Sequence, residues 1–294
     1  MIDFVRHRFV AIALSLAFVG ATIGLYCYKL MTTGQTFAYS VDFTGGAQVL
    51  LKFDKPVSTI KVREILEKSG LSGVTVREFS SDEVLVRIKE LSSDANLLGE
   101  NIKKLVQAEI PDNNARILQT ELVGPGVGKT LRWNSILAVL ISLIAILIYI
   151  AIRFLSPAFA IGAIVALAHD AVAMLAACLI FNREISVTVI GAMLAVLGYS
   201  INDTIVIFAR IRDNLKKMPH ASLEEVVNVS LNSTLRRTLL TSFATMLTVL
   251  AMFLLGGEAL RDFSLILLVG IVFGTYSSIY IASPVMMMLY NKNK

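Results

Sequence analysis

From Ile185 to Ala209 the chain runs for 25 largely apolar residues, and toward the end of that run it carries Asn202 and Asp203. At about 1.5 Å per helical residue the run reaches roughly 37 Å, more than the ~30 Å of a bilayer's hydrocarbon core, and so predicts a membrane-spanning helix. A carboxylate at that depth costs roughly 2.5 to 3.5 kcal/mol, so Asp203 is expected to be neutral, paired or facing water, and to mark a functional site. At about 100° per residue, Tyr199, Ser200, Asp203 and Thr204 form one polar stripe, with a smooth stripe of Gly191, Ala195 and Gly198 beside it where another helix could pack. Asp203 is thereby directed into a bundle. The plainer alternative is a buried carboxylate that only satisfies a neighbour's polar group.

Similar runs recur along the chain. Of its 294 residues 55% are hydrophobic, the mean hydropathy is +0.71, and the apolar excess lies in long blocks separated by one polar stretch, the pattern of an integral membrane protein. Six spans are predicted: Phe9 to about Tyr28, Trp133–Ile152, Pro157–Phe181, Ile185–Ala209, Thr238–Leu255 and Phe263–Tyr290. The first is too long for a secretory signal and lacks a small-x-small cleavage pattern, so it is expected to stay attached. Arg6, Arg8, Arg153, Arg210, Arg212, Lys216, Lys217, Arg236, Arg237, Lys292 and Lys294 fall on one side, against Arg183 and Arg261 in the short loops opposite. This bias predicts cytoplasmic N- and C-termini, and it accounts for the net charge of +5 without nucleic-acid binding. Met218–Thr234 reads as an amphipathic link along the cytoplasmic interface. Cys27 and Cys178 have neither CxxC nor paired spacing, so no disulfide framework, metal site or cofactor is implied.

Between the first two spans, from about Tyr39 to Val123, the long apolar runs give way to alternation. Ala47–Phe53, Gly73–Phe79, Glu83–Lys89 and Ala115–Leu122 read as strands, and Val57–Ser69 and Asp94–Ile110 as amphipathic helices. The order is βαββαβ, a small α+β ferredoxin-like domain expected on the outer, periplasmic side of the membrane. The expected organisation is therefore residues 1–30 as N-terminus and first span, 38–125 as the external domain, and 131–294 as spans two to six with a cytoplasmic loop at 210–236. No His, Cys or carboxylate cluster suggests a catalytic residue, so the domain is expected to move or bind. GPGVGKT at Gly124–Thr130 has only three residues between Gly124 and Gly128, one short of a P-loop, and is read as a glycine hinge.

Three further polar features lie inside spans. His169 and Asp170 sit mid-span beside Gly162, Ala166, Ala173 and Ala177; His169 could relay protons or simply pack against its neighbours, while a second buried carboxylate is harder to explain as packing. Arg237, Thr241, Thr245 and Thr248 line one helix face. Arg236 and Arg237 could both be interfacial anchors, but Arg237 enters from the side toward which Asp203 is displaced, so the two are expected at similar depth. Ionised Asp203 held by Arg237 and released on protonation would make a proton switch that moves the outer domain. Gly270-x-x-x-Gly274, with Ser277 and Ser278 following, predicts a packing face.

VDFTGG (Val41–Gly46), ELVGPGVG (Glu121–Gly128), ALAHD (Ala166–Asp170), GYSINDTIVIFARIR (Gly198–Arg212) and LRRTLLTS (Leu235–Ser242) resemble the motifs of the SecF family of bacterial protein-export subunits, within the RND superfamily. The resemblance covers nearly the whole chain. It implies an accessory subunit of the Sec translocase in the inner membrane, working with SecD beside the SecYEG channel, with YajC and YidC as further partners. Such a subunit couples proton flow to late translocation of unfolded polypeptide and does no covalent chemistry. By position Asp203 matches the family's proton-coupling aspartate and Arg237 its arginine partner. His169 and Asp170 match its HD pair, with Ser200, Asn202, Thr241 and Thr245 as relay or packing residues around them. Two positions depart: Ala209 replaces the usual acid of the F-D/E-R-I-R segment, and Lys129-Thr130 stands where an acid usually follows VG. The alternative is a free-standing RND-type exporter of small molecules or lipids. Protons and sodium ions remain equal candidates for the coupling ion.

Overall fold

The computed structural model describes residues 2–34, 36–71, 73–88 and 95–290, side chains 33, 95, 96, 125, 258 and 259 excepted. The elements are α1 (Arg8–Thr33), β1 (Ala38–Tyr39), α2 (Val41–Thr44), β2 (Gly46–Phe53), α3 (Thr59–Lys68), β3 (Thr75–Glu78), β4 (Glu83–Ile88), α4 (Ala95–Glu109), β5 (Ala115–Val123), α5 (Pro125–Phe154), α6 (Pro157–Ile180), β6 (Glu184–Ile185), α7 (Val187–Lys217), α8 (Leu223–Leu255), α9 (Glu258–Ser277), a π-helical turn (Ser278–Ala282) and α10 (Ser283–Leu289). They form two compact units: the described parts of Met1–Ala38 and Leu137–Lys294, and Tyr39–Ile136. Among the described residues six helical stretches are long and apolar enough to cross a membrane, so this is a multi-pass membrane protein.

In the smaller unit β2, β3, β4 and β5 form one antiparallel sheet in the order β3-β4-β2-β5. Strand alternation sends Ala47, Val49, Leu51 and Phe53 to one face, where they meet Val62 and Leu66 of α3 and Leu98, Ile102 and Val106 of α4. The strand predicted at Glu83–Lys89 is seen to Ile88, and the helix predicted from Asp94 is seen from Ala95; Lys89 and Asp94 lie outside the described residues. Replacing fully buried Ile102 with Ala removes a core side chain between α4 and the sheet. That is expected to cost about 2 to 5 kcal/mol, read as a lowered unfolding midpoint of this unit.

Gly124–Thr130 is not a hinge. Pro125 begins α5, its fixed φ and missing N–H suiting the first helical turn, and the Gly128 amide donates to the Gly124 carbonyl at 3.0 Å. Gly128 is needed for close approach instead: a Cβ there would lie 3.0 Å from the Gly45 amide nitrogen and 3.2 Å from the Asp42 carbonyl oxygen. The one-turn helix α2 and the left-handed Gly45 (φ 72°) thus present backbone directly to α5.

Opposite the core, the sheet holds a charged group of unusual composition. Arg87 donates to the Gln48 side chain at 3.0 Å and to the Tyr39 carbonyl at 3.1 Å, and burial, with Arg77 nearby, lowers its guanidinium to about 10. Glu121 accepts from Gln119 at 2.7 Å; burial, and next the negative charge of Asp42, raise its carboxyl. An acid raised in the folded state holds its proton more tightly there. Its contribution to stability is therefore complete below the unfolded value near 4.5 and is lost as pH rises through the folded value. Glu121→Gln is expected to flatten this decline, seen as a smaller drop in unfolding midpoint between pH 4 and pH 7 than in the parent.

In the larger unit α9 packs against α6, α7 and α8, and α1 against α6. Helix starts follow local chemistry: the Ser186 hydroxyl caps α7 by accepting from Val189, and Ser222 caps α8 by accepting from Glu225, with Glu224 and Glu225 in the first turn. The Met218–Thr234 segment is not a separate link. From Leu223 it is the first half of α8, because no Gly or Pro interrupts Leu223–Leu255 and Val226, Val227, Ser230 and Leu231 are buried. The predicted loop at 210–236 shrinks accordingly to residues 218–222, with α7 continuing to Lys217.

Candidate functional site

Asp203 is buried, 5% exposed, on the α7 face turned toward α8 and α9. Its Oδ2 accepts from the Ser242 hydroxyl of α8 at 3.4 Å, and Ser242 in turn accepts from Thr275 of α9 at 2.8 Å. One turn earlier on α7, Ser200 donates to Asp170 Oδ2 of α6 at 2.6 Å. Thr204 pairs with Ser278 of the π-helical turn at 2.8 Å, and the Ser278 hydroxyl also reaches the Ser200 carbonyl at 3.4 Å. Two carboxylates from two helices are thus each held by a hydroxyl along the polar stripe of α7, inside hydrocarbon where such groups are costly unless they serve a site.

Small residues make this convergence possible. A Cβ on Gly270 would lie 2.5 Å from Val196, and one on Gly274 would lie 2.9 Å from the Ser200 side chain and 3.5 Å from Asp170 Oδ2. The predicted packing face on α9 is therefore where α7 crosses it. The smooth stripe on α7 is not: nothing lies within 4 Å of a Cβ at Gly191 or Gly198, because the close approach is made by glycines on α9 against Val196 and Ser200. Gly274→Ala is expected to displace Ser200 and break its bond to Asp170, shifting the Asp170 carbonyl band in difference infrared spectra while the protein still inserts.

His169 is buried at 7% exposure among the rings of Phe18, Phe273 and Tyr276. Its Nδ1 lies 3.6 Å from Asp170 Oδ1, and among the described residues neither ring nitrogen nor that oxygen has a hydrogen-bond partner. Asn202 and Thr241 are exposed, and Thr245 is half-buried, its hydroxyl oxygen 3.2 Å from the Tyr199 hydroxyl. Arg237 is also exposed. It acts on Asp203 electrostatically, but no ion pair within 4.0 Å joins them among the described residues. The expected contact pair is therefore replaced by a hydroxyl contact. Thr241, Thr245 and Thr248 spend their hydroxyls on carbonyls one turn back, while the neighbouring Thr234, Thr238 and Ser242 form the buried face. Sequence spacing does not single out Ser242 as the partner of Asp203; the i, i+4, i+8 run of Thr234, Thr238 and Ser242 is the available signal.

The chain matches the family described as protein export membrane protein SecD/SecF, C-terminal, over residues 102–292, and the SecD/SecF GG motif over residues 32–57. It is 36% identical over 98% of its length to the protein translocase subunit SecF of Thermodesulfovibrio yellowstonii, covering 94% of that protein. It is 38% identical to SecF of Vibrio alginolyticus, over 98% of this chain and 90% of that one. The SecDF protein of Thermus thermophilus is 40% identical over 88% of this chain, which spans only 35% of that longer protein. The crystal structure of Thermus SecDF, a translocon-associated membrane protein, superposes with a TM-score of 0.86 at 36% identity, over all of this chain and 39% of that one.

Proposed function

Because the chain belongs to the SecD/SecF family of protein-export membrane proteins, we propose that it is a Sec translocase subunit that couples ion flow to late polypeptide translocation. The observation that carries this reading is Asp203, buried within its span and joined, among the described residues, to a hydroxyl chain from Ser242 to Thr275. A carboxylate so placed can gain and lose a proton, and the change in charge alters how α7, α8 and α9 pack. Arg237 contributes at longer range, raising or lowering the cost of the ionised state as the helices shift. His169 and Asp170 supply a second ionisable place beside the same helix.

SecD is the proposed partner, supported by relatives in which one chain carries both names. The SecYEG channel, YajC and YidC are proposed as neighbours on the strength of the family resemblance. In this reading Tyr39–Ile136 is a ferredoxin-like domain on the periplasmic side, supported by its βαββαβ order and the β3-β4-β2-β5 sheet, and both termini are cytoplasmic. The test is export into inverted vesicles that contain or lack this chain, under a proton gradient and then a sodium gradient. Stimulation by one gradient only when the chain is present supports the reading and names the ion; equal export with and without the chain overturns it.

A further inference from the structure

The short segment before α1 is fastened along the start of α8. The Ile2 amide donates to Asn232 Oδ1 at 2.8 Å, the Phe4 amide to Asn228 Oδ1 at 2.9 Å, and Asn232 donates back to the Ile2 carbonyl at 2.7 Å. Between this strap and α8 opens a cleft of about 390 Å³, lined by Asp3, Arg6, Arg8, Glu224, Glu225 and Asn228. Both signs of charge meet there. Arg8 is committed to Glu224 at 2.6 Å, which leaves the exposed Arg6 guanidinium and the carboxylates of Glu225 and Asp3 lining the cleft, Asp3 also accepting from the Arg6 amide at 3.1 Å. Among the described residues the Arg6 guanidinium and the Glu225 carboxylate have no ion pair, and the Asn228 side-chain N–H groups have no partner.

The depth of the cleft says what could fill it. Arg8 opens the first apolar helix, and Phe9, Val10 and Leu14, directly below, are 64%, 61% and 63% exposed. A molecule in the cleft therefore sits where a span leaves the hydrocarbon, with apolar surface beneath for acyl chains. With Arg8 and Glu224 neutralising each other, one cation and two carboxylates remain. A singly anionic headgroup would meet net repulsion, whereas a zwitterion has a complement for each end. A primary ammonium donates charge-assisted hydrogen bonds to carboxylates, which a quaternary ammonium cannot do.

We propose that the cleft between the N-terminal strap and α8 binds the headgroup of a phosphatidylethanolamine, its phosphate on Arg6 and Asn228 and its ammonium between Asp3 and Glu225. The lipid would then pin the strap to α8, the helix that carries Ser242 to Asp203. The site stands on the membrane-protein assignment alone, independent of export.

The test is native mass spectrometry of the full-length protein released from detergent with equal amounts of phosphatidylethanolamine, phosphatidylglycerol and phosphatidylcholine. Phosphatidylethanolamine adducts are expected to survive at least about tenfold better than the other two, and to fall to their level in Arg6→Gln and in Glu225→Gln. Arg6 is exposed and Glu225 lies on the first turn of α8, so neither change removes a core contact. Arg6→Lys is expected to restore retention in part. Equal retention of all three lipids, preference for phosphatidylglycerol, or retention unchanged in both variants would overturn the proposal. So would phosphoethanolamine without acyl chains competing as well as the lipid, since the bilayer would then not be the source.

Discussion

Vesicles carrying Asp203→Asn are expected to export no faster under an ion gradient than vesicles without the chain, although the variant inserts in normal amount. Asparagine has nearly the same volume and can still accept from Ser242, so packing among α7, α8 and α9 is retained and only the ability to carry charge is lost. The size of the effect follows from the driving force. One proton crossing 100 mV supplies about 2.3 kcal/mol, which biases a two-state equilibrium roughly fiftyfold, and a side chain that cannot ionise forfeits all of it. Asp203→Glu should restore part of the response. Full gradient-dependent export by Asp203→Asn would leave the buried acid a structural feature and remove the basis for coupling. Ser242→Ala, which removes one weak hydrogen bond at 3.4 Å, should only slow the response and shift its pH dependence.

Within the helical unit a large loss of stability is expected at Gly162. A Cβ there would stand 2.6 Å from the Ala282 carbonyl oxygen and 3.1 Å from the Met286 backbone nitrogen, neither of which can rotate away. Gly162→Ala must therefore push α6 away from the π-helical turn and α10, where Ala282 and Met286 are fully buried. Overpacking of this kind costs about 1 to 3 kcal/mol, and Gly162→Val should cost more. The readout is the unfolding midpoint in detergent, with Gly198→Ala as the control: it has open space around it and should change the midpoint little. An unchanged midpoint in Gly162→Ala would show that α6 and α10 do not approach this closely.

Much of the architecture was legible because apolar length and strand alternation are local signals. All six spans fall within helical stretches or overrun their ends by about two residues at most, the sixth running through α9, the π-helical turn and α10, and the four strands around Val49, Val76, Val86 and Ile117 lie within a few residues of their expected positions. Boundaries were less so. Ala209 to Lys217 and Leu223 to Thr234 look polar enough for a loop, yet they continue α7 and begin α8, because burying Val226, Val227 and Leu231 outweighs the polarity of the opposite face. GPGVGKT reads as a break from composition alone; that its glycine answers the backbone of Gly45 depends on a contact far away in sequence. Asp203 and Asp170 could be found because an acid in hydrocarbon is conspicuous. Ser200 stood out on the same polar stripe, but its pairing with Asp170 and that of Ser242 with Asp203 could not be read, since serine and threonine are common in spans and which ones converge depends on where helices cross.

The wide turn at Ser278–Ala282 sets how the end of the chain faces its neighbours. Pro284 has no N–H to offer and its ring would crowd the carbonyl of Tyr280, so the backbone is eased there; the Ser283 hydroxyl reaches the Ser278 carbonyl at 3.3 Å. Such a turn holds one residue more than regular helix. Were the same residues wound as regular helix instead, everything beyond would be rotated by about 100°, swinging Met286 away from Gly162 while Ser278 kept its hold on Thr204. The phase of the last helix is thus set by the width of one turn, which absorbs a surplus residue and leaves the surface opposite as it would be without it.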